Sequence, residues 1–188
     1  MDLVASKGYR SSLTGEPVYV VGAGGIYNGR GLAMSIMAGC QAVWVGTRFV
    51  AATEAAATDA HKRAIVNANY EDTMTSEVYS GRPLRMIKNK YVVDWATRRK
   101  EEMAKLLEEG TIPYKHDFDV KKGTLRNKAL LGKVVTKMED FAPHLSGQVC
   151  GSIDQVLPAK QIVDEMMAEA IQVMQRGNGL IVKARSKL

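Results

Sequence analysis

Cysteine is scarce in this chain, with only Cys40 and Cys150, and histidine is nearly as scarce, at three residues. The cysteines lie far apart and belong to no Cys-x-x-Cys pair, so neither a disulfide framework nor a zinc ribbon is available. No metal site is expected. Cys40 stands just ahead of the apolar run 42–45 and reads as a small buried hydrophobe. Long apolar runs are also missing. None approaches the roughly 18 residues of a membrane span, and residues 1–10 hold no apolar signal-like stretch. These absences argue against a membrane partner and predict a soluble, cytoplasmic protein. Clustered charge of one sign is absent as well. The net charge is +6, but Lys and Arg are spread from Lys7 to Lys187 and mixed with acids through 98–109. Without a basic stripe or an aromatic-rich basic strand, a nucleic-acid partner is not expected. A mild basic excess suits an anionic cofactor or plain solubility.

What is present is an ordinary globular composition, 46% apolar and 24% charged, enough to bury a core. Residues 17–21 (Pro-Val-Tyr-Val-Val) predict a buried parallel strand. Gly22, Ala23, Gly24 and Gly25 follow directly. Residues 28–38 then carry Leu32, Ala33, Ile36 and Met37 on one helical face, and Gly39 ends the helix as a C′ glycine. The pattern repeats at once: Ala42 to Val45 predict a second strand, and Gly46, Thr47 and Arg48 follow without a spacer. Two consecutive βα units imply an α/β fold with a parallel pair.

Beyond residue 53 the character changes. Residues 59–69 predict a helix, 73–79 a short strand, and 80–83 a turn. Asp94 predicts the N-cap of one long helix to 109, stopped by Gly110. Residues 115–128 read as a polar loop. A last helix starts at Pro158 and stops at Gly177, with Ile162, Val163, Met166, Met167, Ala170, Ile171 and Met174 as its apolar face. That methionine-rich stripe reads as core rather than as a cofactor site.

The chemistry sits at the two glycine loops. Glycine at a strand's C-terminal end allows unusual backbone angles and lets an oxygen-rich ligand approach with no Cβ in the way. Backbone N–H groups and a following helix N-terminus then favour an anion, most naturally a phosphate. A turn that needs glycine for geometry alone remains open for the first loop taken by itself. The second loop adds Gly46 and the N–H and hydroxyl of Thr47, whereas Arg48 reads as a surface or packing ion pair. The loops after the last two strands of (β/α)8 barrels commonly share a phosphate. The Rossmann alternative is weaker, because Gly22, Gly24 and Gly25 do not make Gly-x-Gly-x-x-Gly and no acid follows the second strand.

Four segments in this order carry a resemblance: 22–33 (Gly-Ala-Gly-Gly-Ile-Tyr-Asn-Gly-Arg-Gly-Leu-Ala), 42–49 (Ala-Val-Trp-Val-Gly-Thr-Arg-Phe), 80–85 (Ser-Gly-Arg-Pro-Leu-Arg) and 146–151 (Ser-Gly-Gln-Val-Cys-Gly). Together they resemble the nitronate monooxygenase family, formerly 2-nitropropane dioxygenases, and its fungal-type members in particular, over residues 15–176. The resemblance implies FMN bound in a TIM barrel and oxidation of small nitronates by O2. It implies a partial barrel, the last two βα units in residues 1–57, followed by a mostly helical region, 58–188, packed on it. It places the FMN phosphate on Ala23, Gly24, Gly25, Gly46 and Thr47, and the substrate or flavin near Gln148, for which a backbone-bonding loop role is equally open.

The same resemblance expects a catalytic histidine in a Gly-His segment ahead of these strands. His61, His116 and His144 stand in no such segment, so no catalytic residue is assigned and a truncated chain with little activity of its own is expected. A pair of parallel strands with an open edge implies a marginal chain, a homo-oligomer or a piece of a longer product. Three functional readings stay open: the C-terminal part of a nitronate monooxygenase or of the related flavin-dependent enoyl-ACP reductases, a non-catalytic phosphate- or flavin-binding remnant, and a structural α/β protein whose glycines only make turns.

Overall fold

A computed structural model describes residues 2–119, 122, 124–127, 133–135 and 140–181. Positions 120, 121, 123 and 128 of the polar segment expected as a loop, and residues 182–188, lie outside the described residues. The fold is α/β with few strands, which among the described residues form three separate two-stranded sheets. The chain divides into two compact units, Met1–Ala56 with Gln155–Leu188, and Ala57–Asp154. The sequence pattern expects one division near residue 57. In the structure the last segment returns to the first unit, and 57–154 is an insertion.

In the first unit, α1 (Asp2–Lys7) precedes β1 (Val21–Ala23), α2 (Gly29–Met37), β2 (Ala42–Trp44) and α3 (Thr47–Val50). β1 and β2 are parallel, with Val21 opposite Ala42 and Ala23 opposite Trp44. The first strand therefore sits later than residues 17–21. Pro17 has no N–H for a parallel ladder, and this stretch instead bridges back to Arg10 and bonds Tyr9, with Val18 N–H donating to its carbonyl. α2 ends in a paired cap. The N–H of Gly39 donates to Ile36 and that of Cys40 to Ser35, with Gly39 at φ +96°. This is the left-handed close that glycine permits.

The long helix α8 (Ala159–Gly179) packs on α2. Ile162, Met166 and Ala170 are buried, and Ile162 and Met166 join Ile26 and Ala52 in the unit's small core. Val163, Met167 and Ile171 remain about half exposed. The stripe expected to be core is therefore two rows, one packed and one bare. Gly29 sets the approach, since a Cβ there would lie 2.5 Å from the Ala170 nitrogen and the Met166 carbonyl oxygen.

The second unit runs from α4 (Asp59–Val66) through β3 (Thr73–Ser76) and β4 (Leu84–Ile87), an antiparallel pair, to α5 (Lys90–Thr97), α6 (Lys100–Glu108) and α7 (Pro113–Asp117). A small hairpin of β5 (Phe118–Asp119) and β6 (Thr124–Leu125) follows, so part of the expected loop is ordered structure. The single helix expected over 94–109 is two. Asn89 caps the first by accepting the N–H of Val92, and Asp94 lies buried inside α5, paired with Arg98. The N–H groups of Arg98 and Arg99 both donate to the Asp94 carbonyl, which ends the first helix before the second begins. Gly110 does stop α6, with its own N–H on Leu107 and that of Thr111 on Leu106.

Scarce aromatics are concentrated here. Tyr91, Trp95 and Phe141 are buried with Val78 and Met86, Tyr79 and Tyr114 pack against them, and the rings of Tyr91 and Phe141 lie 4.5 Å apart. The Tyr79 hydroxyl donates to the Phe141 carbonyl at 2.8 Å and accepts from Asn89. Burial pushes Tyr79, Tyr91 and Tyr114 above the ordinary tyrosine value of 10.0, and the nearby Asp117 charge adds to this at Tyr91. A raised folded-state pKa gives stability that is complete below the unfolded value and is lost as pH rises past it. The second unit is therefore expected to weaken above about pH 10, read as a falling denaturation midpoint in an alkaline series. Tyr79→Phe with Tyr91→Phe should flatten that fall. An unchanged alkaline slope in the double variant would count against this assignment.

Candidate functional site

The parallel register brings the two glycine loops to the same ends of neighbouring strands. Ala23 is the last residue of β1 and lies opposite Trp44, the last of β2. Gly24 and Gly25 follow one strand, and Gly46 and Thr47 closely follow the other. Gly24 and Gly25 both take positive φ, +92° and +72°, a region that residues with a Cβ rarely adopt. Ile26, only 6% exposed, then fastens the loop into the core. Gly46 is different. Its φ is −98°, and it caps α3 by accepting the N–H groups of Phe49 and Val50.

Whether a phosphate suits these loops can be read from the space around them. A Cβ built at Gly24, Gly25 or Gly46 meets no other atom within 4 Å. The backbone there can be approached closely, whereas at Gly22 a Cβ would press on Ser35 and Cys40. The space at Gly24, Gly25 and Gly46 leaves the loop backbone open to close approach by an anion. Arg48 itself is buried, not displayed at the surface.

The head of α2 is already committed. Asn28 accepts the N–H of Gly31 at 3.0 Å, and the Glu169 carboxylate accepts the N–H of Gly29 at 2.7 Å while facing Arg30 at 3.4 Å. A carboxylate on the positive end of a helix does there what a bound anion would do. The expectation that α2 lends its N-terminus to a phosphate is thus corrected. Asn28 is visible in sequence as a polar residue ahead of a helical run. Glu169, 140 positions away, gives no local signal.

Gln148 belongs to the inserted unit. It opens a 3-10 turn, Gln148–Ser152, is exposed, and its carbonyl accepts from the Cys150 thiol at 3.6 Å. His61 and His144 stack in the same unit at 5.0 Å, with His61 bonded to the Leu145 carbonyl. His116 contacts the buried Asp117. Among the described residues no helix is long and apolar enough to cross a membrane.

The first unit thus presents a class of site: adjacent parallel strands whose glycine ends leave approachable backbone, as in α/β proteins that hold phosphorylated ligands. A family model described as nitronate monooxygenase matches residues 6–169, and the chain belongs to that family. The nitronate monooxygenase of Paraburkholderia phytofirmans is 30% identical over 158 residues, covering 84% of this chain and 39% of its own length. A Bacillus subtilis protein described as a probable nitronate monooxygenase is 30% identical over 156 residues, covering 83% and 41%. Among solved structures, FabK from Thermotoga maritima superposes with a TM-score of 0.63 at 27% identity, over 87% of this chain and 48% of that one. A nitroalkane oxidase from Streptomyces ansochromogenes gives 0.57 at 26%, over 85% and 41%. The chain spans about two-fifths of the length of the curated relatives it matches.

Proposed function

We propose that this chain carries the phosphate-anchoring portion of an FMN-dependent nitronate monooxygenase, the last two βα units of a TIM barrel with the helical region that follows them. The observation that carries the reading is the pair of parallel strands ending side by side in glycines with open Cβ positions. Ala23, Gly24 and Gly25 with Gly46 and Thr47 would hold the FMN phosphate through backbone N–H groups and the Thr47 hydroxyl. Gln148 carries the substrate part of the proposal, since a carboxamide both donates and accepts and so suits a nitronate. Bound flavin would supply the redox chemistry by which nitronates are oxidised with O2. Residues of this chain bind and orient.

The test is an FMN titration of the purified chain, following flavin fluorescence and melting temperature together. Saturable binding with a rise in melting temperature is expected. Gly46→Val separates cavity from backbone strain, because φ at Gly46 is negative and a Cβ there meets nothing within 4 Å. It should leave the melting temperature of the free chain unchanged and weaken FMN binding at least tenfold. Gly24→Val should abolish binding too, but at φ +92° it also distorts the loop. Undiminished binding in Gly46→Val would show that the phosphate sits elsewhere. A second reading, glycine loops that only make turns, is favoured by the Glu169 carboxylate at the head of α2. It predicts no binding of FMN or inorganic phosphate.

A further inference from the structure

The sequence closes on Ser186, Lys187 and Leu188, a motif that neither the fold nor the flavin site uses. Ser-Lys-Leu with a free terminal carboxylate is an address read by the import receptor of peroxisomes. Chemistry explains why three residues at that one place can be read. A terminal carboxylate is a fixed anion that the backbone N–H groups of a receptor capture. Lys187 adds a compact cation with three donors, Ser186 a small hydroxyl, and Leu188 an apolar side chain beside the carboxylate. Because the motif works only at a chain end, a match there is more specific than the same tripeptide inside a sequence.

Such an address must reach its receptor while the protein stays folded, and the close of α8 suits that. Ala170 is the last buried residue of the helix, and every described residue from 175 to 181 is exposed. The N–H of Leu180 donates to the Gly177 carbonyl at 3.0 Å, and that of Ile181 to Asn178 at 3.2 Å. Leu180 and Ile181 are 77% and 68% exposed, so the described residues end in solvent, clear of the unit's core. Seven more residues follow, and a run of that length extends to about 23 Å, enough to enter a receptor groove. The expectation of a cytoplasmic protein rests on missing membrane and leader signals. A receptor-read address is neither of these, and it anchors nothing.

A basic tail is the competing reading. Arg176, Lys183, Arg185 and Lys187 follow Glu169 with no further acidic side chain, and a run of one sign is drawn to anionic surfaces. The two readings part at Leu188, which is essential to the address and brings no positive charge to a tail. We propose that Ser186, Lys187 and Leu188, with the terminal carboxylate, form a peroxisomal import signal whose partner is the receptor for C-terminal tripeptides. The proposal is independent of the flavin site.

The test expresses the full chain, with a fluorescent protein at its N-terminus, in yeast whose peroxisomes carry a second marker. Coincidence with the marker is expected, and diffuse fluorescence in a strain that lacks the import receptor. Deletion of Leu188 and Lys187→Glu should each disperse the signal, and each should weaken binding of the purified chain to the purified receptor at least tenfold. Deleting Leu188 keeps every basic residue and the net charge, so a charge-driven association would survive it. Arg176→Glu, the same charge change outside the motif, should alter neither import nor receptor binding. Diffuse fluorescence of the parent chain overturns the proposal, as does coincidence that survives loss of Leu188 or of the receptor. The native C-terminus is read by mass spectrometry of the protein from its source. A terminal peptide ending at Leu188 supports the signal, and a chain that continues past Leu188 overturns it.

Discussion

Gly29→Ala is expected to loosen the first unit more than any other single methyl group added to it. The new Cβ would meet the Ala170 nitrogen, the Met166 carbonyl oxygen and the Glu169 Cβ, each at 2.5 Å. Two of these are backbone atoms of α8 and cannot rotate away. Relief requires the helices to separate by about an ångström, the gap between this distance and ordinary carbon contacts of about 3.5 Å. That separation opens the packing of Ala33 and Ala170, each 1% exposed, and stretches the 2.7 Å bond from Gly29 N–H to Glu169. Overpacking costs about 1–3 kcal/mol, and a weakened cap adds about 1 kcal/mol. Alanine's better helix propensity returns less than about 1 kcal/mol. A net loss of about 1–3 kcal/mol corresponds to a fall of about 4 °C or more in the melting temperature of a unit this size. Hydrogen exchange in α2 and α8 should rise together. A variant that melts within a degree of the parent would show that the helices do not meet at Gly29.

Arg99→Met is expected to have a comparable effect on the inserted unit. Asp117 is fully buried, and its two oxygens accept from the Arg99 guanidinium at 2.5 and 3.1 Å. Tyr91 donates to the same carboxylate at 3.1 Å. The guanidinium lies 3.4 Å over the centre of the Trp95 ring and also grips Glu102 through two bonds, of 2.7 and 2.8 Å. Burial alone would lower the Arg99 pKa, but its bonds to Glu102 and Asp117 outweigh burial and raise it. Removing the cation leaves a buried carboxylate that, among the described residues, keeps Tyr91 and His116 as side-chain partners, at a cost of about 3–5 kcal/mol. Arg99→Met combined with Asp117→Leu should recover much of that loss, since an apolar pair of similar volume carries no desolvation penalty. Chemical denaturation of the two variants decides between them, and a double variant no more stable than the single one would refute the buried-charge explanation. The Arg99 hydrogen bonds also hold the Glu102 carboxyl below its ordinary value. That contribution is present above the ordinary carboxylate range and is lost as pH falls through the lowered value. Arg99→Met should remove it.

Local chemistry made part of this protein legible in its residues. The α2 helix, its Asn28 cap and its Gly39 stop follow from short-range rules, as do the Gly110 stop and the turn between β3 and β4. The glycine loops at two successive strand ends, with the other family segments in order, were enough to indicate the family that the comparison with known proteins established. Where local rules failed, a distant residue had intervened. Asp94 resembles an N-cap in sequence, yet it is buried within α5, and the helix breaks at Arg98 and Arg99. Arg99 is drawn to Asp117, a partner 18 positions on.

The sequence by itself determined the βα pairs, the conformational freedom at Gly24 and Gly25, and membership of the nitronate monooxygenase family, because each depends on neighbours a few residues apart or on segments in fixed order. Tertiary structure alone decided that residues 155–181 return to the first unit and that Glu169 occupies the head of α2. It also decided that the α8 stripe is buried along one row and bare along the next. Periodicity marks a face as apolar, but only the elements that reach it determine how much of that face is covered.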